Sequence, residues 1–392
     1  MSVFEHLRPL VSLCQACGMI PFTMEENVIS NKFVRFTFSF RHRTTWWFMV
    51  MFVLQFVLQF VMVKLSVSIL DGLINDENVP MTVTILSGIT MFSFTAQILL
   101  SRWIALNYRK LRNAVEALQE VERLFGEKFI EQHQCFLGYR FVIAVTLIVT
   151  TVVFSFVVMA SLFQPFYPAD MGLMPTVALY FMLSLVNVMI ECTFLLIHMS
   201  YYVISHYIQL LFLNSGKSDA NGLPVASRKG AENIKELRQN ALIFDYLCQA
   251  SSELNDLFSV PVLFILTVKF VTVVSAAFTY IYSFTYSNLI IENVLFVSPF
   301  LFVCDWIRLL VIFTAADMPV NQVRLLRERL CARSYSRFSQ TLAENVAEMT
   351  ILMQMNEDRI QMSAAGVFKV GVHLIPALVG AVVTYMVILL QN

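Results

Sequence analysis

The stretch WWFMVMFVLQFVLQFVMVKLSVSIL, residues 46–70, contains one charged residue, Lys64, in a block dominated by aliphatic and aromatic side chains. A transmembrane α-helix needs about 20 consecutive apolar residues to cross a hydrocarbon core of about 30 Å. Inside a bilayer every backbone polar group must be paired within the protein, and a helix achieves this by itself. The stretch therefore predicts a membrane-spanning helix.

Six further apolar blocks follow along the chain. They cover residues 80–104, 138–162, 174–202, 258–282, 289–316 and 367–390. Pro261 is expected in the first turn of the fifth span, and Pro376 inside the seventh, where it would kink the helix. Hydrophobic residues make up 58% and charged residues 14% of the 392 residues, whereas soluble proteins carry about 25% charged residues. We predict an all-α integral membrane protein with seven transmembrane helices, surrounded by membrane lipids.

Lysine and arginine lie on one side of the predicted spans. The segments rich in them are 1–45, 105–137, 203–257 and 317–366. The opposite segments, which contain neither residue, are 71–79, 163–173 and 283–288. Because positively charged loops stay in the cytoplasm, the N-terminus is predicted to be cytoplasmic and the C-terminus extracellular. This orientation is opposite to that of a G-protein-coupled receptor and disfavours that class.

The predicted topology divides the chain into four parts. These are a cytoplasmic N-terminal segment (1–45), transmembrane helices one to six (46–316), cytoplasmic anchor helices (317–366) and a last transmembrane helix (367–392). The cytoplasmic loops 105–137 and 203–257 within the second part are also predicted to be helical.

Three cytoplasmic stretches place apolar residues on one helical face. The stripes are Leu111, Val115, Leu118 and Phe125; Leu237, Ala241, Phe244, Cys248, Ser251 and Leu254; and Leu342, Val346, Met349 and Met353. The second stripe leads directly into the fifth span, so one helix is expected to contain both. Such seams suit packing within one chain or between subunits.

The motifs of several functional classes are missing from the sequence. No nucleophile–base arrangement, phosphate-binding loop or metal cluster is recognisable, so we expect neither an enzyme nor a cofactor. The net charge of zero gives no basic face for nucleic acid. Cys14 and Cys17 form one CxxC pair, but a closed tetrahedral metal site needs two more ligands, so no metal site is predicted.

Glu191 and Lys269 lie near the middle of the fourth and fifth spans. Charge at this depth faces a partner or a water-filled cavity, so the two residues either pair with each other or form a polar floor beneath a ligand cavity. Asp305 and Arg308 are close to one turn apart in the sixth span and are expected to pair.

Aromatic and polar side chains alternate in the outer halves of spans two to six, which suits a pocket for a small neutral ligand. The candidate pocket residues are Thr84, Phe92, Phe154, Tyr180, Asn187, Ser275, Phe278 and Tyr282, with Glu191 and Lys269 below them. Tyrosines at membrane boundaries also fit an interfacial belt, so this assignment has a structural alternative.

The C-terminal segment carries the most specific pattern. It begins with Gly366-Val367-Phe368 and ends with Thr384-Tyr385, five hydrophobic residues and Gln391. This arrangement resembles the signature of insect gustatory receptors, and the stretch LNDLFSVPVLF at 254–264 is similar to that family's fifth span. The family's final aromatic residue is replaced by Asn392.

The resemblance implies a tastant-gated, non-selective cation channel in the plasma membrane of chemosensory neurons. In that family four chains, identical or not, surround one pore lined by their last helices. Thr384, Ile388 and Gln391 share one helical face, so Ile388 would gate by excluding water and Gln391 would contact ions. Alternatively, this face packs against the other spans of the same subunit. Two further functional readings are a non-conducting co-receptor subunit and, with less support, a transporter.

Overall fold

The computed structural model describes residues 3–26, 34–37, 39–75, 102–126, 173–217, 226–285, 289–336 and 352–391, and the isolated positions 85, 88, 100, 346, 349 and 350. Its helices are α1 (Val3–Ala16), α2 (Arg43–Asn75), α3 (Trp103–Leu106), α4 (Tyr108–Phe125), α5 (Leu173–Lys217), α6 (Ala226–Thr285), α7 (Leu289–Ser336) and α8 (Leu374–Gln391). Two antiparallel hairpins accompany them, β1 (Thr23–Glu26) with β2 (Val34–Thr37), and β3 (Ser363–Ala364) with β4 (Phe368–Lys369). A short 3-10 turn covers Glu357–Arg359.

The core is formed by the three long helices α5, α6 and α7. Helix α7 packs against both of the others, and α4 packs along α6. The segments Val188–Leu213 of α5 and Leu237–Phe278 of α6 are long and apolar enough to cross a membrane. Most of the predicted spans 80–104 and 138–162 lies outside the described residues.

Helix α6 runs without interruption from the second apolar stripe into the fifth predicted span. This confirms the expectation that one helix contains both. Pro261 therefore lies inside the helix, and its predicted place in the first turn of a span is wrong. Proline removes one backbone hydrogen bond from a helix interior. The helix continues because Leu257, Phe258 and Val262 beside it are buried in the core.

Two of the three apolar stripes that were predicted to be cytoplasmic are buried inside the chain. Val115 and Leu118 of α4 and Phe244 and Leu254 of α6 all belong to the main core. The third stripe differs, because its described members Val346, Met349 and Met353 are 58%, 63% and 80% exposed. Leu342 lies outside the described residues.

Arg102 connects α2 to the turn that follows α1. Its guanidinium donates hydrogen bonds to the Gly18 carbonyl and the Gln55 side chain, and lies 4.9 Å from the centre of the Phe48 ring. Carbonyl, amide and aromatic partners here take the place of a carboxylate at the terminal nitrogens, whereas the buried Arg102 Nε has no hydrogen-bond partner among the described residues. This contact fixes the N-terminal segment against α2.

Candidate functional site

The last helix, α8, begins at Leu374, later than the predicted start at residue 367. The residues before it form the β3–β4 hairpin and a short turn instead of a helical end. As a result Pro376 lies in the first turn of α8, where its missing N–H has no helical partner to lose. Pro376 therefore gives no reason for a kink in α8, contrary to the prediction.

Gly366, part of the predicted family motif, lies in the turn of the β3–β4 hairpin. Ala365 and Gly366 have φ of 49° and 71°, and the Val367 amide donates to the Ala364 carbonyl at 2.9 Å. Positive φ at both central positions is typical of type I′ turns, and glycine adopts it without steric cost. Phe368 follows in β4 and is half-buried against the core.

The hairpin is attached to α6 by hydrogen bonds. The Asn255 side chain accepts the Ser363 amide at 2.8 Å, and the Ala365 amide donates to the Ser259 carbonyl at 3.1 Å. Lys369 of β4 pairs with Asp358 in the 3-10 turn, and this hydrogen bond lowers the pKa of the Asp358 carboxyl below its ordinary value. The hairpin therefore fixes the position from which α8 starts.

Helix α8 contacts the rest of the chain through one stripe. Val382 and Met386 are buried, Leu378 and Leu389 are partly buried against the core, and α8 packs on α6. Tyr385 of the family motif meets the Phe270 ring edge-to-face, with centroids 5.7 Å apart. The stripe has the i, i+4 spacing of an amphipathic contact.

The three predicted pore residues lie on the exposed part of α8. Ile388 is 46% exposed, and Thr384 and Gln391 are also exposed. The Thr384 hydroxyl donates to the Gly380 carbonyl of the same helix at 2.8 Å, so this polar group is satisfied without an external partner. The structure thus brings these residues onto one uncharged surface.

Five buried or partly buried side chains form a second feature, the polar cluster: Glu191 of α5, Lys269 and Thr272 of α6, and Asp305 and Arg308 of α7. Lys269 Nζ donates to Asp305 Oδ1 at 2.8 Å, and Thr272 Oγ1 donates to Asp305 Oδ2 at 2.7 Å. Arg308 donates to Asp305 Oδ1 at 2.7 Å and also pairs with Glu191. The cluster therefore joins all three core helices.

The polar cluster corrects one prediction and confirms another. Glu191 and Lys269 do not pair with each other, because Arg308 and Asp305 of α7 stand as their partners. Asp305 and Arg308 pair as predicted. Sequence reasoning missed Thr272 and the link between Arg308 and Glu191, although an arginine inside an apolar span signals a buried acidic partner.

Burial makes the balance of charge in this cluster important. The Lys269 and Asp305 side chains are 8% and 6% exposed. An unpaired ion in such surroundings costs several kcal/mol. Two cations and two anions face each other here, so the cluster carries no net charge.

The structure describes only part of the predicted ligand pocket. Phe278 is buried and Ser275 is half-buried on α6. Thr84, Phe92 and Phe154 lie outside the described residues, as do the side chains of Tyr180, Asn187 and Tyr282 within their helices. Glu191 and Lys269 are brought together through α7, and the pocket above them stays a prediction.

The CxxC pair is buried instead of open to a ligand. The thiols of Cys14 and Cys17 lie beside that of Cys192 of α5, where α1 packs against α5. Its contact with Cys192 and, to a smaller extent, its burial raise the pKa of the Cys17 thiol above its ordinary value. In the part of the chain that the structure describes, no three His, Cys, Asp or Glu residues are placed to hold a metal ion.

Comparisons with known proteins bear on these features. The chain is similar in fold to the insect olfactory receptor OR5 from Machilis hrabei, with a TM-score of 0.67 and 15% identity over 99% of this chain and 98% of that chain. The same receptor in complex with eugenol gives a TM-score of 0.66 and 13% identity, with 99% and 98% covered. No curated protein matches the chain by sequence.

The model of the family described as 7tm Chemosensory receptor matches residues 7–391. This match confirms the resemblance to insect gustatory receptors that the C-terminal motif indicated, and it covers nearly the whole chain instead of its last helix alone. The protein is therefore a member of the 7tm chemosensory receptor family, a multi-pass membrane receptor and not an enzyme.

Proposed function

We propose that this receptor is a tastant-gated, non-selective cation channel of the plasma membrane of chemosensory neurons. Four chains, identical or mixed, surround one pore, and the seven spans place the N-terminus in the cytoplasm. Helix α8 lines the pore, and the tastant binds in the extracellular half of spans two to six.

One observation carries the proposal, which is the uncovered face of α8. The helix has no charged residue between Leu374 and Gln391, and among the described residues it contacts its own chain through one stripe. The remaining face exposes Val379, Val383, Val387 and Ile388. An apolar ring of such residues excludes water from a narrow pore, whereas the polar ring of Gln391 outside it contacts ions.

The polar cluster supports the proposed place of the ligand. The cluster residues Lys269 and Thr272 precede Ser275 along α6, and the charges of the cluster pair with each other. A pocket above it therefore offers no free charge to a ligand, which favours an uncharged tastant. OR5, a receptor of the same fold, has been solved with the small uncharged molecule eugenol.

A contact between α6 and α8 gives binding a route to the pore. Phe270, the neighbour of Lys269 in α6, packs against Tyr385 in α8. A shift of α6 on tastant binding would move this ring and, with it, the helix that carries Ile388. Tyr385, a residue of the family motif, would thereby act through its contact with α6 and need not face the pore.

Substitution of the gate residue tests the channel proposal. Ile388→Ser is expected to raise the ligand-free current several-fold, because a hydroxyl admits water where an aliphatic ring excluded it. Val303→Ser is the matched control, since Val303 is 52% exposed on α7 and lies outside α8. Gln391→Glu is expected to increase the preference for divalent cations.

Whole-cell recording of cells that express the chain alone measures both effects. If the chain conducts and neither Ile388 nor Gln391 variants change basal current or ion selectivity, α8 does not line the pore. Current that requires co-expression with another receptor favours the co-receptor role. This role is the second candidate because Asn392 replaces the family's terminal aromatic residue.

A further inference from the structure

The short connection between β4 and α8 is contacted by an acidic residue of α7. Asp317 Oδ2 accepts the backbone N–H of Val372 at 2.8 Å. Amides close to the start of a helix have no partner within it. The Asp317 carboxylate therefore supplies an acceptor at the point where the chain turns into α8.

Gly371 lets the carboxylate approach this closely. A Cβ atom built at Gly371 would overlap the Asp317 carboxylate and lie 2.8 Å from His373 Nδ1. Contacts of this length are not found for real Cβ atoms, so any other residue would displace the Asp317 side chain or the connection itself. The close approach of the Asp317 carboxylate thus requires glycine at position 371.

Helix α7 connects this contact to the polar cluster. Asp317 follows the fully buried Ala315 and Ala316, which hold this part of α7 in the core. Asp305 and Arg308 lie earlier in the same unbroken helix. At a rise of about 1.5 Å per residue, Asp305 and Asp317 are roughly 18 Å apart along the axis.

We infer that Asp317, Gly371 and Val372 form a clamp that sets the tilt of α8 and transmits movement of α7 to the pore. Ile388 lies roughly 21 Å beyond Leu374, the first residue of α8, at a rise of about 1.5 Å per residue. A tilt of about 5° at the clamp therefore moves the gate by roughly 2 Å, enough to open or close a water-excluding constriction. The inference rests on the proposed channel function and names a positioning site for it.

A double-mutant cycle tests the clamp. Asp317→Ala and Gly371→Ala each remove the contact, so each is expected to change ligand-free current per surface receptor at least threefold. Because both act on one contact, the double variant is expected to match the single variants, and not to show the product of two independent effects. Asp317→Asn keeps an oxygen acceptor of the same shape and is expected to lie closer to wild type.

Asp245→Ala is the matched control. Asp245 pairs with Arg359 at 2.7 Å on an exposed surface, so the variant loses an aspartate ion pair without touching the start of α8. Its ligand-free current is expected to equal that of wild type. Independent, multiplicative effects of Asp317→Ala and Gly371→Ala in a conducting protein would overturn the clamp.

Hydrogen exchange on the purified full-length chain gives a readout that needs no current. Asp317→Ala is expected to speed exchange of the Val372 amide at least threefold, whereas Asp245→Ala leaves it unchanged. Unchanged exchange in Asp317→Ala overturns the inference whether or not the protein conducts. If the Val372 amide exchanges faster in Asp317→Ala but the current is unaltered, the contact is structural and the coupling of α7 to the pore is overturned. A wild-type chain that never conducts contradicts the channel and the coupling together, while the exchange result still decides the contact.

Discussion

The polar cluster shows how single residues determine the packing of the three core helices. Each charge in it has a partner on another helix or one turn away, and Thr272 adds a hydrogen bond to the shared Asp305 carboxylate. Removing one partner of such a set leaves a buried charge without compensation, whereas removing a complementary pair does not.

Lys269→Met is expected to lower the free energy of unfolding by about 3–5 kcal/mol, because Asp305 and Glu191 then outnumber the remaining cation Arg308. Lys269→Met combined with Asp305→Leu restores neutrality, so its loss is expected to be smaller than that of Lys269→Met alone. Thermal unfolding of the detergent-purified protein measures the difference. A double variant that is less stable than both single variants would contradict this account.

At this scale, sequence reasoning identified Glu191 and Lys269 and left open whether they pair with each other, which they do not. A charge inside an apolar span shows that a partner is needed. Which partner it finds depends on the register between α5, α6 and α7, and helical periodicity within each segment does not contain that register. Asp305 and Arg308 were paired correctly because both lie on one helix, where spacing is sufficient.

Elements that depend on local spacing were predicted well, and the β3–β4 hairpin was not. The i, i+4 stripe in α6 continued into the fifth span as expected. In contrast, Val367-Phe368-Lys369-Val370 looks like the start of an apolar helix, and strands of two residues are too short to show alternation. The signal that was available is Ala365-Gly366, a pair able to adopt the turn.

Gly366→Ala is expected to destabilise the protein by about 1–2 kcal/mol, because an alanine Cβ meets the following carbonyl at positive φ. Nothing lies within 4 Å of a Cβ built at Gly366, so backbone conformation and not crowding is the cause. Ala365→Gly removes the same strain and is expected to shift the melting temperature in the opposite direction. Equal melting temperatures for Gly366→Ala and wild type would show that alanine adopts positive φ at position 366 without cost.

At the scale of the whole molecule, several apolar surfaces of the described residues are exposed, α2 among them, and two bear on assembly. One is the face of α8, and the other is the stripe of Val346, Met349 and Met353. An exposed apolar stripe at helical spacing is typical of an interface between subunits. Sequence periodicity predicted the stripe but left open whether it packs within the chain, because burial depends on tertiary contacts.

Met349→Glu is expected to dissociate the proposed tetramer, because a carboxylate in the centre of an apolar interface loses hydration without gaining a partner. Native mass measurement of the purified protein reports the oligomeric state. Leu106→Glu serves as control, since Leu106 is 77% exposed on α3, away from the stripe. Intact tetramers in Met349→Glu would place the subunit contacts elsewhere.

The neutrality of the polar cluster has an electrical consequence. Moving one elementary charge across the membrane potential changes the free energy by about 2.3 kcal/mol per 100 mV. Lys269, Arg308, Asp305 and Glu191 sum to zero, so their joint displacement with α5, α6 and α7 transfers no gating charge. A rearrangement of the core that keeps these pairs intact is therefore insensitive to the membrane potential.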